Sequence, residues 1–186
     1  DAFRQKKTAF YMFSSQNPAS TGPMVHIAHE MTQFSDADVT VFSNCDSVRL
    51  SIFDGAKSWT LPVKHEAGHM PNQPVIFPDV WSFWEARDLS YTQKNWQKVN
   101  MVAEGIIDGK VVCTTKKMPS RRSTKLRLYV DHMDKQLVAD GSDFVVVVAE
   151  VTDDSGNTRR MAKENILFTI EGEGEIIGDA SICANP

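Results

Sequence analysis

The sequence predicts an all-β chain, two antiparallel sandwiches in tandem behind a short N-terminal helix. Three observations carry that prediction. Val39 to Gly55 (VTVFSNCDSVRLSIFDG) reads as strand, turn and strand, Val99 to Thr115 sets two apolar runs around Asp108-Gly109, and Lys125 to Ile177 repeats short apolar runs between turn residues. Alternation with a period of two marks a half-buried strand, and Asp-Gly between two such runs is the strongest short-range hairpin signal.

Taken in order, residues Asp1 to Gln16 fit a helix, because Ala2, Phe3, Ala9, Phe10 and Phe13 fall within an arc of about 120°, interrupted by Lys6. A helix of this length is marginal alone and needs a surface to pack on. Asn17 to Pro23 (NPASTGP) is a turn-rich linker, and Met24 to Ala28 reads as a strand. In the next stretch Val48, Leu50 and Ile52 alternate with Arg49, Ser51 and Phe53, so a slip of one residue would carry Arg49 into the core. The two runs of Val39 to Gly55 are therefore expected to form a hairpin.

Ser58 to Val63 is a further strand candidate, Lys64 to Pro74 is loop-like, and Val75 to Phe77 is a short apolar piece. Asp79 to Lys98 has room for a helical turn but little pattern. Met24 to Thr115 thus holds about six or seven strands, enough for one sandwich of about a hundred residues. Lys125 to Val130 opens a second set, and Phe144 to Val151 is apolar enough for a strand covered on both faces. Ile166 to Ile170 alternates and Glu175 to Ile177 is short, so this second sandwich is expected to be incomplete. The expected boundaries are a helix and linker at 1–23, a sandwich at 24–116, a linker at 117–124 and the second sandwich at 125–186.

Bulk properties exclude several function classes. With 186 residues and 41% hydrophobic content the chain can bury true cores. A net charge of -4 argues against nucleic acid as a partner, since phosphate binding needs Lys and Arg clustered on one face. The densest basic run, Lys116 to Lys125 (KKMPSRRSTK), carries Pro and Ser and reads as solvated linker. No apolar run approaches the ~18 residues of a membrane helix, so no membrane insertion is expected. The chain opens on Asp1 rather than Met, so the lack of a signal-like segment carries no information on location. Cys45, Cys113 and Cys183 are odd in number without CxxC spacing and are expected to be buried free thiols.

Three constellations could carry chemistry. His65 to His69 (HEAGH) matches the pattern in which two His one helical turn apart bind zinc and Glu activates water. That pattern works only on a helix, and Pro62, Pro71, Pro74 and Gly68 bound or interrupt this one, so a loop is the expectation. Trp59, Trp81, Trp84 and Trp96 could stack on sugar rings, with Trp81, Trp84 and Trp96 the candidates, although large aromatics more often fill cores and junctions. Asp153-Asp154 and the set Glu171, Glu173 and Glu175 lack the ligand spacing of a calcium loop and read as turn residues. Neither a cofactor nor a metal is expected.

The run SNCDSVRLSIFDG, preceded by PMVHIAHEMTQFSDADVTVF, resembles the immunoglobulin-like domain that follows the catalytic barrel in bacterial glycoside hydrolase family 2 enzymes of the β-galactosidase type. VAEGIIDGKVVCT is similar to the last hairpin of that domain. Lys125 to Gly178, with its turn at Ala139 to Asp143, resembles the further immunoglobulin-like domain of the same enzymes, and DAFRQKKTAFYMFSSQ resembles the last helix of the barrel. Asp79 to Lys98 is longer and more aromatic than the usual connection.

The resemblance implies tandem immunoglobulin-like sandwiches that support the catalytic barrel of the same polypeptide. It implies a parent that hydrolyses β-glycosides with two glutamates upstream of Asp1, and a periplasmic or extracellular location for that parent. A carbohydrate-binding module using exposed Trp is the first alternative, and a zinc hydrolase using His65, Glu66 and His69 is the second.

Overall fold

The computed structural model describes residues 6–66, 70–132, 135–159 and 161–184, and the chain divides into two units, Asp1–Pro119 and Ser120–Pro186. The first unit begins with α1 (Thr8–Ser14) and then builds seven strands: β1 (Val25–Ala28), β2 (Val39–Ser43), β3 (Ser47–Ile52), β4 (Lys57–Pro62), β5 (Val75–Phe77), β6 (Met101–Ile107) and β7 (Lys110–Lys117). They form two antiparallel sheets, β1-β2-β5 and β4-β3-β6-β7. A three-on-four arrangement of antiparallel strands is an immunoglobulin-like sandwich. α1 is shorter than the helix expected over Asp1 to Gln16, and Asp1 to Gln5 lie outside the described residues.

Alternation places the core. Val25, Ile27, Val39, Val41, Val75 and Phe77 point inward from one sheet, and Val48, Leu50, Ile52, Met101 and Ala103 from the other. Arg49 stays outside, paired with Glu104 across β3 and β6 at 2.6 Å. Val39 to Gly55 is not a hairpin, however. β2 pairs only with β1 and β5, and β3 only with β4 and β6, so the residues between them carry the chain from one sheet to the other. Both strands bury alternate residues in one shared core, and periodicity cannot tell that arrangement from direct pairing.

Buried polar groups hold this crossing. Asn44 accepts from the Met24 N–H (2.8 Å) and donates to the carbonyls of Asn17 (3.2 Å) and Gly22 (3.0 Å). Ser43 donates to the Met24 carbonyl (2.9 Å) and accepts from the Cys45 N–H (3.1 Å). The segment expected to be a plain linker, 17–23, is therefore pinned to the sandwich. The Asp108-Gly109 hairpin forms as expected between β6 and β7, with φ of 50° and 74° at the two turn residues. Positive φ at both positions is what a two-residue turn with the right twist requires.

α1 packs on the sandwich through Tyr11, whose ring stacks on His26 with centroids 3.7 Å apart and planes 4° off parallel. Below the helix, Asn72 donates to the Ser15 carbonyl (2.6 Å), and Gln16 exchanges two bonds with the Asn72 backbone. Phe10 and Phe13 face outward, 45% and 68% exposed. His29 is buried, and because the Met31 N–H can only donate, its Nδ1 accepts (3.1 Å) and Nε2–H donates to the Asp36 carbonyl (2.9 Å).

The second unit holds β8 (Lys125–Asp131) paired with β9 (Val146–Thr152), and β10 (Asn165–Leu167) paired with β11 (Ser181–Cys183). Its packing is thin. Leu126, Leu128 and Val130 are 54%, 60% and 43% exposed, and β9, expected to be covered on both faces, buries only its last three residues. Glu175 to Ile177 forms no strand, whereas β11 does, in a run too short to alternate visibly. The most deeply buried polar side chain described in this unit is Asp153, whose carboxylate accepts N–H bonds from Arg121, Ser155 and Asn157. Burial alone would raise its pKa, but these donors outweigh it and hold the carboxyl below the usual range.

Two measurements test this account of the first unit. Leu50→Ala leaves a cavity between the sheets and is expected to cost about 2–5 kcal/mol in urea unfolding. Burial, and after it the charge of Lys117, push His26 down to about 4 from 6.5, and burial pushes His29 down too. Between pH 6.5 and about 4 the unfolded chain therefore binds more protons than the folded one, so stability is complete above this window and falls as pH drops through it. Thermal melts should show that decline, and His26→Phe, which keeps a ring for Tyr11, should reduce its slope. An unchanged slope would contradict the burial argument.

Candidate functional site

The aromatic segment 79–98 lies between β5 and β6 and is built from backbone anchors. The Val80 and Trp81 N–H groups both donate to the Ala37 carbonyl at 2.8 Å, and the Asp79 N–H donates to Asp38 at 2.9 Å. Ser82 then caps a short helix, α2 (Phe83–Arg87), by accepting from the Glu85 N–H at 3.3 Å. Glu85 in the first turn suits the positive end of the helix and pairs with Lys57 at 2.7 Å. A π-turn over Asp88–Thr92 and a 3-10 turn at Trp96–Lys98 lead into β6. This segment contains the helical turn for which the sequence left room.

These anchors separate the three Trp candidates. Trp81 is buried, with its indole N–H donating to the Thr32 carbonyl (3.1 Å) and its ring against His29 and Phe53. It offers no face to a sugar in this structure. Trp84, one turn along, is 68% exposed, with the Arg87 guanidinium 5.5 Å from its ring centre and Phe83 edge-on at 5.6 Å. Trp96 is half-buried. Trp59 on β4 is also half-buried and packs against the core. Tyr91, which the sequence reading passed over, is 78% exposed. Its place in a segment without alternation was the one available signal.

The HEAGH run does not assemble a zinc site from its described members. His65 forms a bridge with Asn72, and its Nδ1 lies 2.7 Å from the Asn72 side-chain oxygen. Neither His65 nor Glu66 is helical, and His69 lies outside the described residues. Pro62 precedes the run and Pro71 follows it, and the two described members that open it, His65 and Glu66, lie outside any helix. Among the described residues no three His, Cys, Asp or Glu side chains gather as metal ligands.

Of the acidic sets, Asp153 is saturated by N–H donors, an arrangement that serves a turn and leaves no oxygen for a cation. An open depression of about 450 Å³ in the second unit is lined by Ser123, Arg159, Met161, Ala162, Lys163 and Glu164. Glycoside hydrolysis uses a pair of carboxylates about 5–10 Å apart, and this lining has one. Of the thiols, Cys45 is buried, but Cys113 and Cys183 are only partly covered.

Comparison with known proteins gives this geometry its setting. Residues 126–185 match the profile of glycoside hydrolase family 2 C-terminal domain 5. A β-galactosidase of Thermoanaerobacter pseudethanolicus is 33% identical over 184 residues, which is 96% of this chain and 24% of that enzyme. A β-glucuronidase of Formosa agariphila is 26% identical over 174 residues, 92% of this chain and 16% of that enzyme. Among solved structures, a β-glycosidase from Bacteroides vulgatus superposes with a TM-score of 0.63 at 22% identity, over 92% of this chain and 19% of that one, and shows the fold. A β-glucuronidase from glycoside hydrolase family 2 superposes with a TM-score of 0.60 at 29% identity, over 92% of this chain and 16% of that one. The chain spans about a quarter or less of the length of these relatives. It belongs to glycoside hydrolase family 2, as part of the accessory C-terminal region of such an enzyme.

Proposed function

We propose that these sandwiches support a catalytic barrel supplied by the same polypeptide, and that the whole enzyme hydrolyses β-glycosides. The observation that carries this reading is the alignment of nearly the whole chain with about a quarter of a β-galactosidase. Surface chemistry agrees with it. α1 spends Tyr11 and Gln16 on the sandwich and leaves Phe10 and Phe13 to water, a cost of roughly 25 cal/mol per Å² that a covering partner would remove.

A second reading rests on Trp84. An exposed indole with a guanidinium beside it can stack on the C–H face of a sugar while Arg87 reaches a hydroxyl, so the 79–98 segment would add carbohydrate contact to support.

The first reading is tested by assaying aryl β-galactoside and β-glucuronide hydrolysis. The 186-residue chain alone is expected to give none and the full-length parent to turn over one of them, whereas turnover by the isolated chain would overturn it. In the parent, Phe10→Glu with Phe13→Glu is expected to lower the thermal midpoint of the barrel. Affinity electrophoresis in soluble β-glycans tests the second reading. Retardation lost in Trp84→Ala supports it, and equal mobility of the two proteins removes it.

A further inference from the structure

The two halves of the first sandwich bring Cys45 and Cys113 together although 67 residues lie between them in sequence. Cys45 sits in the crossing from β2 to β3, fully buried, and Cys113 on β7, partly exposed. Their sulfurs are 3.7 Å apart. Two further observations show that this meeting has a place made for it.

The first is Gly105 on β6, the strand residue directly opposite Cys113. A side-chain carbon added there would lie 2.6 Å from both sulfurs at once. The φ of Gly105 is not in the left-handed region, so nothing in the backbone calls for glycine. Space for the sulfur pair does. The second is the position of β7 at the edge of its sheet, bonded to β6 on one side only. A disulfide needs its sulfurs about 2.05 Å apart, so closure requires a further approach of about 1.7 Å, which side-chain rotation and a small shift of an edge strand can supply.

We propose that Cys45 and Cys113 are a covalent modification site, closing to an intramolecular disulfide on exchange with a disulfide oxidant of the glutathione or thiol-oxidoreductase class. Cys113 reacts first because it alone is reachable. Its sulfur, having given up its proton, attacks one oxidant sulfur, and the departing oxidant thiolate takes up a proton. Cys45 then attacks the Cys113 sulfur, the Sγ–Sγ bond forms, and the second oxidant thiol leaves with the remaining proton. Two thiols are oxidised and one disulfide is reduced to two thiols, so atoms and electrons balance. Burial, the neighbouring Cys45 and its hydrogen bond push the Cys113 thiol up to about 12, so the thiolate is scarce and exchange is slow. The product would tie the edge strand β7 to the crossing that joins the sheets.

The test uses folded full-length protein equilibrated with oxidised glutathione, quenched by alkylation in denaturant, then digested and weighed. The expected result is one cross-linked pair of peptides carrying Cys45 and Cys113, about 2 Da lighter than their sum and released by dithiothreitol, with Cys183 outside the link. The closed loop is long, so the thermal midpoint of the sandwich should rise by roughly 10 °C on oxidation and fall back on reduction. Full alkylation of Cys45 and Cys113 in a sample whose Cys183 has taken up glutathione would overturn the proposal. So would a lasting glutathione adduct on Cys113 beside a free Cys45. Cys45→Ser should leave a lasting glutathione adduct on Cys113 in place of the cross-link, and cross-linking that persists in this variant would also overturn the assignment.

Discussion

In the first unit the chain passes from one sheet to the other between Ser43 and Ser47, and that passage must satisfy its own polar backbone inside the molecule. The Cys45 N–H finds Ser43 Oγ, the Asp46 N–H finds the Ile106 carbonyl, and the Asp46 carbonyl receives the Val63 N–H. An unpaired buried group costs roughly 1–3 kcal/mol, so a crossing that failed these demands would weaken both sheets together. Because it meets them, β2 and β3 can present Val39, Val41, Val48, Leu50 and Ile52 to one core. The Asp46 carboxylate extends the same arrangement by accepting the Asp108 N–H, which fastens the distant β6–β7 turn to the passage at 3.0 Å.

How much of this was legible follows from what each signal measures. Alternation reports which face of a strand is dry, and it placed Val48, Leu50 and Ile52 correctly. It does not report the neighbour, which is why Val39 to Gly55 looked like a hairpin. Asp108-Gly109 was legible in full because positive φ at two successive residues is itself a statement about pairing. β5 and β11, three residues each, are too short to show alternation in their sequence, and the long apolar run around β9 does not reveal that its sheet has two strands. Seven strands of one sandwich were thus easier to read than four strands divided between two small sheets.

The candidate site was less legible, for a related reason. Trp81 and Trp84 stand three residues apart on the same segment, and sequence offers no way to rank them. One hydrogen bond to the Thr32 carbonyl and two backbone bonds to Ala37 decide that the first is interior and the second exterior, and all of those partners are remote in sequence. In the HEAGH run the flanking prolines act locally, and the described His65 and Glu66 are non-helical. The sulfur pair could not be judged, since its members lie in the passage between the sheets and on β7, remote from each other in sequence. Local chemistry is readable from local letters, and long-range encounters are not.

Asn44 makes the crossing depend on a single side-chain amide. Its amide nitrogen is the donor to two carbonyls of the segment that joins α1 to the sandwich. Were that amide converted to a carboxylate, with its nitrogen released as ammonia on ring closure by the Cys45 backbone nitrogen and the ring then opened by water, an oxygen would face both of those carbonyls, replacing two attractions by two repulsions. Burial slows the reaction and also makes its outcome more damaging.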